Sequence, residues 1–163
     1  MRKELTRKLL FELLKDSKRS DRELAKVLGV SQPTITRKRS SLVKDGMIRE
    51  FTVIPDFAEM GYEIMAISCV KTKRPINSEL SKEATEWMMK FPNIIFVAPT
   101  EGMGKNGVMI SLHKNYTEYS KFVSEQLTHW GLKIEDYASM LISLRGTIPK
   151  PFSLSYLAKG EEA

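Results

Sequence analysis

Ser31, Gln32, Thr34 and Thr36 stand ahead of an unbroken basic run, Arg37-Lys38-Arg39. Glutamine and arginine side chains can bond two atoms of a base edge at once, and hydroxyls and lysines suit phosphate oxygens. Such a set can act together only on one helix whose N-terminal half enters a groove, where first-turn backbone N–H groups also meet phosphate. Gly29-Val30, directly before Ser31, supplies the tight reversal this helix needs after an earlier one, and Ala25 is small enough to let the two approach. With Arg19 and Arg22 from the start of the earlier helix, the candidate DNA contacts are Ser31, Gln32, Thr34, Thr36, Arg37, Lys38, Arg22 and Arg19.

Other chemistry finds less support. Gly102-Met103-Gly104-Lys105-Asn106-Gly107 spells the dinucleotide string G-x-G-x-x-G, but that string must open a helix. Here a strand pattern follows (108–112), and Asn106-Gly107 reads as a hairpin turn. The single cysteine, Cys69, lies in an apolar run and reads as a small buried residue. One cysteine and two histidines are too few for an ordinary zinc site, so no metal and no cofactor are expected. His113 and His129 end a strand and a helix, where imidazoles are usually solvated caps. No triad or carboxylate pair has a spacing that argues for catalysis, and no catalytic residue is assigned.

Charge separates the chain into two parts. Residues 1–50 hold 14 Lys and Arg against 7 Asp and Glu, a balance of +7, and residues 51–163 hold 12 against 13, a balance of −1. A basic N-terminal third suggests that this part meets a polyanion while the remainder does something else. A three-helix bundle without a nucleic-acid role would leave both the charge and the basic run unexplained. The longest apolar run, 94–99, is too short to span a membrane, and the charged start lacks a secretory apolar block, so a cytoplasmic protein is expected.

The elements that must position these residues follow from periodicity. Leu5, Leu9, Leu10, Leu13 and Leu14 recur at helical spacing. Ser20 and Glu23 form a capping box for a second helix ended by Gly29. A third runs from Ser31 to Asp45, with Pro33 in its first turn and Ile35 and Leu42 inward. Residues 47–54 read as a strand stopped at Pro55. Beyond it come a strand (62–73), a helix with an inward stripe of Leu80, Ala84, Trp87, Met88 and Phe91, two strands (94–98 and 108–113), a helix capped by Asn115, and a last strand (133–145). The order β-α-β-β-α-β is ferredoxin-like. The expected fold is therefore α+β: a helix-turn-helix domain of winged-helix type (1–50), a linker strand (51–61), a ferredoxin-like domain (62–146) and a tail (147–163). With both helices on one face of the sheet, the other face would be bare and apolar, which marks an interface and suggests a homodimer unless the tail covers it.

Glu23-Leu24-Ala25-Lys26, the stretch from Gly29 to Arg37, and Leu42-Val43-Lys44-Asp45-Gly46-Met47-Ile48 resemble the helix-turn-helix signature of the Lrp/AsnC, or feast/famine, regulators. The resemblance extends, through element order, over nearly the whole chain. It implies a sequence-specific DNA-binding transcription regulator, dimeric or of higher order, whose C-terminal domain oligomerises and senses a small effector, often an amino acid. It also implies that the loop at Glu101, Gly102, Met103, Gly104 and Lys105 is the effector-binding segment. The acidic residue that would hold an α-ammonium is missing there, and Lys105 would suit an anion or carboxylate instead. Two further departures are Thr6 and Arg7, where the family usually carries aspartates, and Arg39 in a usually apolar slot, whose stem should pack while its head reaches water or a phosphate. Two other readings stay open. One is an enzyme of the sirohaem decarboxylase kind on the same fold, using histidines, which leaves the basic helix unaccounted for. The other is a DNA-coating architectural protein of low sequence preference.

Overall fold

The computed structural model describes residues 2–75 and 77–159, and divides into two compact units: Met1–Ile54 with Lys150–Ala163, and Pro55–Pro149.

The first unit holds α1 (Arg2–Lys15), α2 (Asp21–Leu28), α3 (Gln32–Lys44) and, from the end of the chain, α6 (Ser155–Lys159). Leu9 and Leu13 on α1, Leu24 and Ala25 on α2, and Ile35 and Leu42 on α3 form one buried cluster, with Leu28, Val30 and Ile48 packed against it. The i, i+4 spacing of the leucines in α1 places them on one face, which is why this stripe and no other goes inward. Both halves of the capping box at α2 are present: Glu23 N donates to Ser20 Oγ (3.2 Å) and Ser20 N to Glu23 Oε2 (2.7 Å). The Ser20 hydroxyl, which donates to Glu23 Oε2 at 2.7 Å, and then the Ser20 N–H hold the Glu23 carboxyl below its ordinary range. Gly29 closes the helix in the left-handed region (φ 65°), and Val30 N reaches back to Ala25 O at 3.1 Å. The tail docks on α1 through α6, with Ala158 buried, so its described residues from 150 onward belong to the helical unit.

Residues 47–54 were expected to be a strand, and 51–61 a linker strand; no ladder forms there. Residues 47–48 bend back on α3, with Ile48 N donating to Leu42 O at 3.0 Å; 49–56 carry no regular structure, and 57–61 is a turn. Residue types alone cannot make a strand, because its N–H and C=O groups need a neighbour, and none of the described residues pairs with this one.

The second unit is β1 (Ile64–Thr72), α4 (Ser78–Met88), β2 (Ile94–Gly102), β3 (Lys105–His113), α5 (Tyr116–Trp130) and β4 (Ile134–Ser143). The strands form one antiparallel sheet in the order β2-β3-β1-β4. This is the expected βαββαβ arrangement. Register places Ala66, Ser111 and Leu141 side by side, and Ser68, Met109 and Ser139 beside them. This is the helix-covered face, because His113 in the same row packs its ring on Tyr119 and Phe122 of α5. The opposite face carries Met65, Ile67 and Cys69 of β1, Val108 and Ile110 of β3, Met140 and Ile142 of β4 and Phe96 of β2. Phe96 is 50%, Met140 56% and Ile142 37% exposed, and Cys69, expected to be buried, is half-buried among them.

Three further expectations change. The hairpin turns at Met103-Gly104, where φ is 48° and 69°, not at Asn106-Gly107. Both central residues have positive φ, the pattern of a two-residue hairpin that follows strand twist. Asn106 instead bridges strands, its amide bonding Thr72 N (3.0 Å) and Thr72 Oγ1 (2.7 Å) where β1 shifts register. His113 is not a solvated cap: it is 2% exposed, with Nε2 2.8 Å from Ser111 Oγ. Helix α4 stops at Met88, and its apolar stripe is only half-buried.

Candidate nucleic-acid interface

The geometry of the α2–turn–α3 pair is set by a clasp. Asp21, in the first turn of α2, accepts from Thr36 Oγ1 at 2.7 Å through Oδ2, and its Oδ1 lies 2.9 Å from Arg39 Nε. Thr36 and Arg39 are one turn apart on α3, so one carboxylate grips two successive rungs of that helix. Arg39 Nη2 also donates to the carbonyl of Arg19, at 2.8 Å, just before α2. The arginine in the usually apolar slot is thus an internal tie: its stem packs inward, and its head meets Asp21 and a backbone carbonyl. Lys38 Nζ donates to Thr6 Oγ1 on α1 (3.1 Å), the position where aspartate was the family expectation.

A second acidic anchor holds Arg19. Its Nη1 pairs with Glu12 Oε2, and Lys15 holds the other oxygen at 2.7 Å. The bond from Lys15 and then that from Arg19 keep the Glu12 carboxyl below its ordinary range, against the effect of burial. Neither Asp21 nor Glu12 stands out in the sequence, because each finds its arginine outside any helical spacing.

The candidate contacts therefore separate into two groups. Arg19, Thr36 and Lys38 already hold partners within the unit. Ser31, Gln32 and Arg37 on α3 and Arg22 on α2 are exposed. Among the described residues no carboxylate pairs with Arg22 or Arg37; Arg37 Nε donates only to Pro33 O one turn back, at 3.3 Å. Ser31 takes the N-cap backbone conformation, but its hydroxyl bonds Thr34 Oγ1 (2.9 Å) and caps no N–H. Buried Ile35 and Leu42 fix which side of α3 faces inward and leave Gln32, Thr36 and Arg37 facing out.

Residues 2–49 match the winged helix-turn-helix DNA-binding family. The HTH-type transcriptional regulator FL11 of Pyrococcus horikoshii is 32% identical over 120 residues, 74% of this chain and 76% of that one. The chain belongs to the Lrp/AsnC family of transcriptional regulators. The crystal structure of PH0061, an HTH-type regulator of the same organism, superposes with a TM-score of 0.77 at 26% identity, covering 91% of this chain and 95% of that one. The AsnC family regulator of Agrobacterium tumefaciens shares the fold (TM-score 0.73, 21% identity, 94% and 97% covered).

In this Lrp/AsnC regulator the candidate effector loop lies on the β2–β3 hairpin. Glu101 and Gly102 end β2, Met103 is 86% exposed, Gly104 completes the turn and Lys105 opens β3. Lys105 is not free for an outside anion: it pairs with Asp136 of β4, and that bond lowers the Asp136 carboxyl. The two histidines of the enzyme reading serve different neighbours. His113 sits in the core against Tyr119 and Phe122, and burial pushes its imidazole below the ordinary range while the charge of Glu118 opposes this. His129 stacks on Trp87 with ring centres 3.5 Å apart. Among the described residues no three of His, Cys, Asp and Glu gather as metal ligands, and no helix is long and apolar enough to cross a membrane.

Proposed function

We propose that this Lrp/AsnC regulator reads DNA with the exposed N-terminal half of α3, Ser31, Gln32 and Arg37 meeting base edges and phosphates and Arg22 reaching the flanking backbone. One observation carries the reading: among the described residues, Arg22 and Arg37 are exposed and without a carboxylate, while Arg19 and Arg39 are tied internally. Thr36, Lys38 and Arg19 act mainly by holding the helices in place, and Thr34 holds the Ser31 hydroxyl. The basic unit (1–50) binds DNA and residues 62–146 oligomerise. Two copies pair through the open apolar face of the sheet, around Ile67, Met140 and Phe96, and so present two α3 helices to half-sites about one helical turn, roughly 10 base pairs, apart. The protein acts in the cytoplasm, on double-stranded DNA, without catalysis. An effector at the Glu101–Lys105 hairpin would first have to displace Asp136 from Lys105, so the amino-acid chemistry usual in the family is not assigned to that loop.

The test is a salt titration of binding to operator fragments selected from genomic DNA. Arg37→Ala is expected to weaken binding and to flatten the plot of log K against log salt by about one, the release associated with one phosphate contact. Arg39→Met should leave that slope unchanged. Equal slopes for wild type and Arg37→Ala would overturn the assignment. Steep salt dependence with no preference between selected and random fragments would favour the architectural reading instead.

A further inference from the structure

Beyond its first turn, α3 carries three hydroxyls, and each directs its proton into the helical unit. Thr36 Oγ1 donates to Asp21 Oδ2 at 2.7 Å. Ser40 Oγ donates to the carbonyl of Thr36 at 3.0 Å, and Ser41 Oγ to Asp45 Oδ2 at 2.7 Å. A hydroxyl has one proton to give and two lone pairs to receive with. Of the three, Thr36 lies in the N-terminal half of α3, exposed, and one turn after Gln32 on the same outward side. The bond that ties it to α2 also decides what its oxygen can offer outward.

Charge fixes the Thr36 hydroxyl. Asp21 is paired through Oδ1 with Arg39 Nε at 2.9 Å, and a carboxylate can only accept. The carbonyl oxygen of Gln32, 3.2 Å from Thr36 Oγ1, is an acceptor as well. Whichever of the two takes the proton, it points back toward the helices and lone pairs remain for the outer side. A hydrogen bond to a charged acceptor is roughly twice as strong as a neutral one, so turning the hydroxyl outward to donate is disfavoured. Ser40 has a neutral carbonyl as its acceptor and no such lock.

Base edges in the major groove differ in this polarity. Adenine and cytosine present an amino donor there, and guanine and thymine a carbonyl acceptor. We propose that Thr36 is a specificity-determining residue: an acceptor-only hydroxyl, oriented by Asp21, that selects an adenine or cytosine amino group at one position of each half-site and rejects guanine and thymine there. Asp21 is its positioning residue. The assignment rests on α3 entering the groove, as proposed above.

The experiment is selection of sites from randomised duplexes by the full chain at one fixed salt concentration, then binding to the selected site carrying single base analogues. Wild type should select adenine or cytosine at one position per half-site, and Thr36→Val, of the same shape without the hydroxyl, should lose the preference there. Replacing that adenine by purine, or that cytosine by 2-pyrimidinone, deletes only the amino group. It should weaken wild type about tenfold, the scale of one mismatched pair, and leave Thr36→Val unchanged. In Asp21→Asn the amide turns its oxygen to Arg39 and its N–H to Thr36, which frees the hydroxyl proton and should admit guanine and thymine at that position alone. Arg39→Met breaks the same ion pair but keeps the bond between Thr36 and Asp21, so the preference should survive. A clasp with a merely structural role would make these two variants alike, weakening every position together, and that result would overturn the proposal. Each variant is melted first, and binding is measured below its transition. Gln32→Ala separates the proposal from the reading beneath it. If Gln32→Ala relaxes a position and Thr36→Val relaxes none, or relaxes one that held guanine or thymine, α3 reads DNA and the proposal is wrong. If wild type selects no motif, or no α3 variant alters it, the reading fails and the proposal with it.

Discussion

Replacing Arg39 by methionine keeps the buried stem and removes only the guanidinium, so it isolates the clasp between α2 and α3. The head loses two contacts, one to Arg19 O at 2.8 Å and one to Asp21 Oδ1 at 2.9 Å. The side chains of Arg39 and Asp21 are 25% and 21% exposed. Fully exposed pairs contribute about 0–1 kcal/mol, while breaking a fully buried pair costs about 3–5 kcal/mol. This pair is mostly covered but still reached by water, so a cost of about 2 kcal/mol is expected for Arg39→Met. Asp21→Ala should cost about the same, since it also releases Thr36. Because the two residues share one interaction, the double variant should be about 1 kcal/mol more stable than the sum of the single losses predicts. The assay is urea unfolding followed by far-UV circular dichroism, with tryptophan fluorescence as an internal control, because Trp87 and Trp130 both lie in the sheet unit. Losses that add to within about 0.3 kcal/mol would refute the clasp, and a shift confined to the fluorescence transition would refute its location.

The remaining predictions use other contacts. Ser20→Ala removes one half of the capping box and should lower the stability of the helical unit by about 1 kcal/mol, read from the same dichroism transition. His113 has an imidazole lowered by burial, so its folded state binds the proton less readily than the unfolded chain does. Its contribution is therefore complete above the unfolded value of about 6.5 and is lost as pH falls below it, down to the lowered folded value. Unfolding of the sheet unit followed by fluorescence between pH 7.5 and 5 should show this decline, and His113→Gln should remove it; an unchanged slope in the variant would refute the assignment. Met140→Asp places a charge on the open apolar face and should convert a dimer to a monomer in sedimentation velocity, and a wild-type monomer would defeat the paired arrangement.

Local signals carried the fold well. The leucine period of α1, the Ser20–Glu23 box, Gly29 and the βαββαβ order are all written in short stretches, and short stretches decide helix and strand formation. The errors lie where a distant partner decides. Residues 47–54 read as a strand but meet no neighbour. Asn106-Gly107 competes with Gly102-Met103-Gly104 for the hairpin, and pairing with β1 settles it by drawing Asn106 to Thr72. His113 looks terminal in sequence, yet α5 closes over it. At the candidate interface the residue types on α3 were legible, but not which were already occupied. Asp21 and Glu12 take up Arg39, Thr36 and Arg19 through contacts that no periodicity reveals.

The docking of α6 on α1 has a consequence for how the chain is made. The sheet unit is inserted between two parts of the helical unit, so the three N-terminal helices leave the ribosome before the segment that completes their surface. Completion of the helical unit therefore waits for residues 150–159, which emerge after every residue of the sheet unit. The part of the molecule that begins first is therefore finished last, and a nascent chain stalled before Ala158 carries the basic α3 helix on a unit still lacking its final turn of packing.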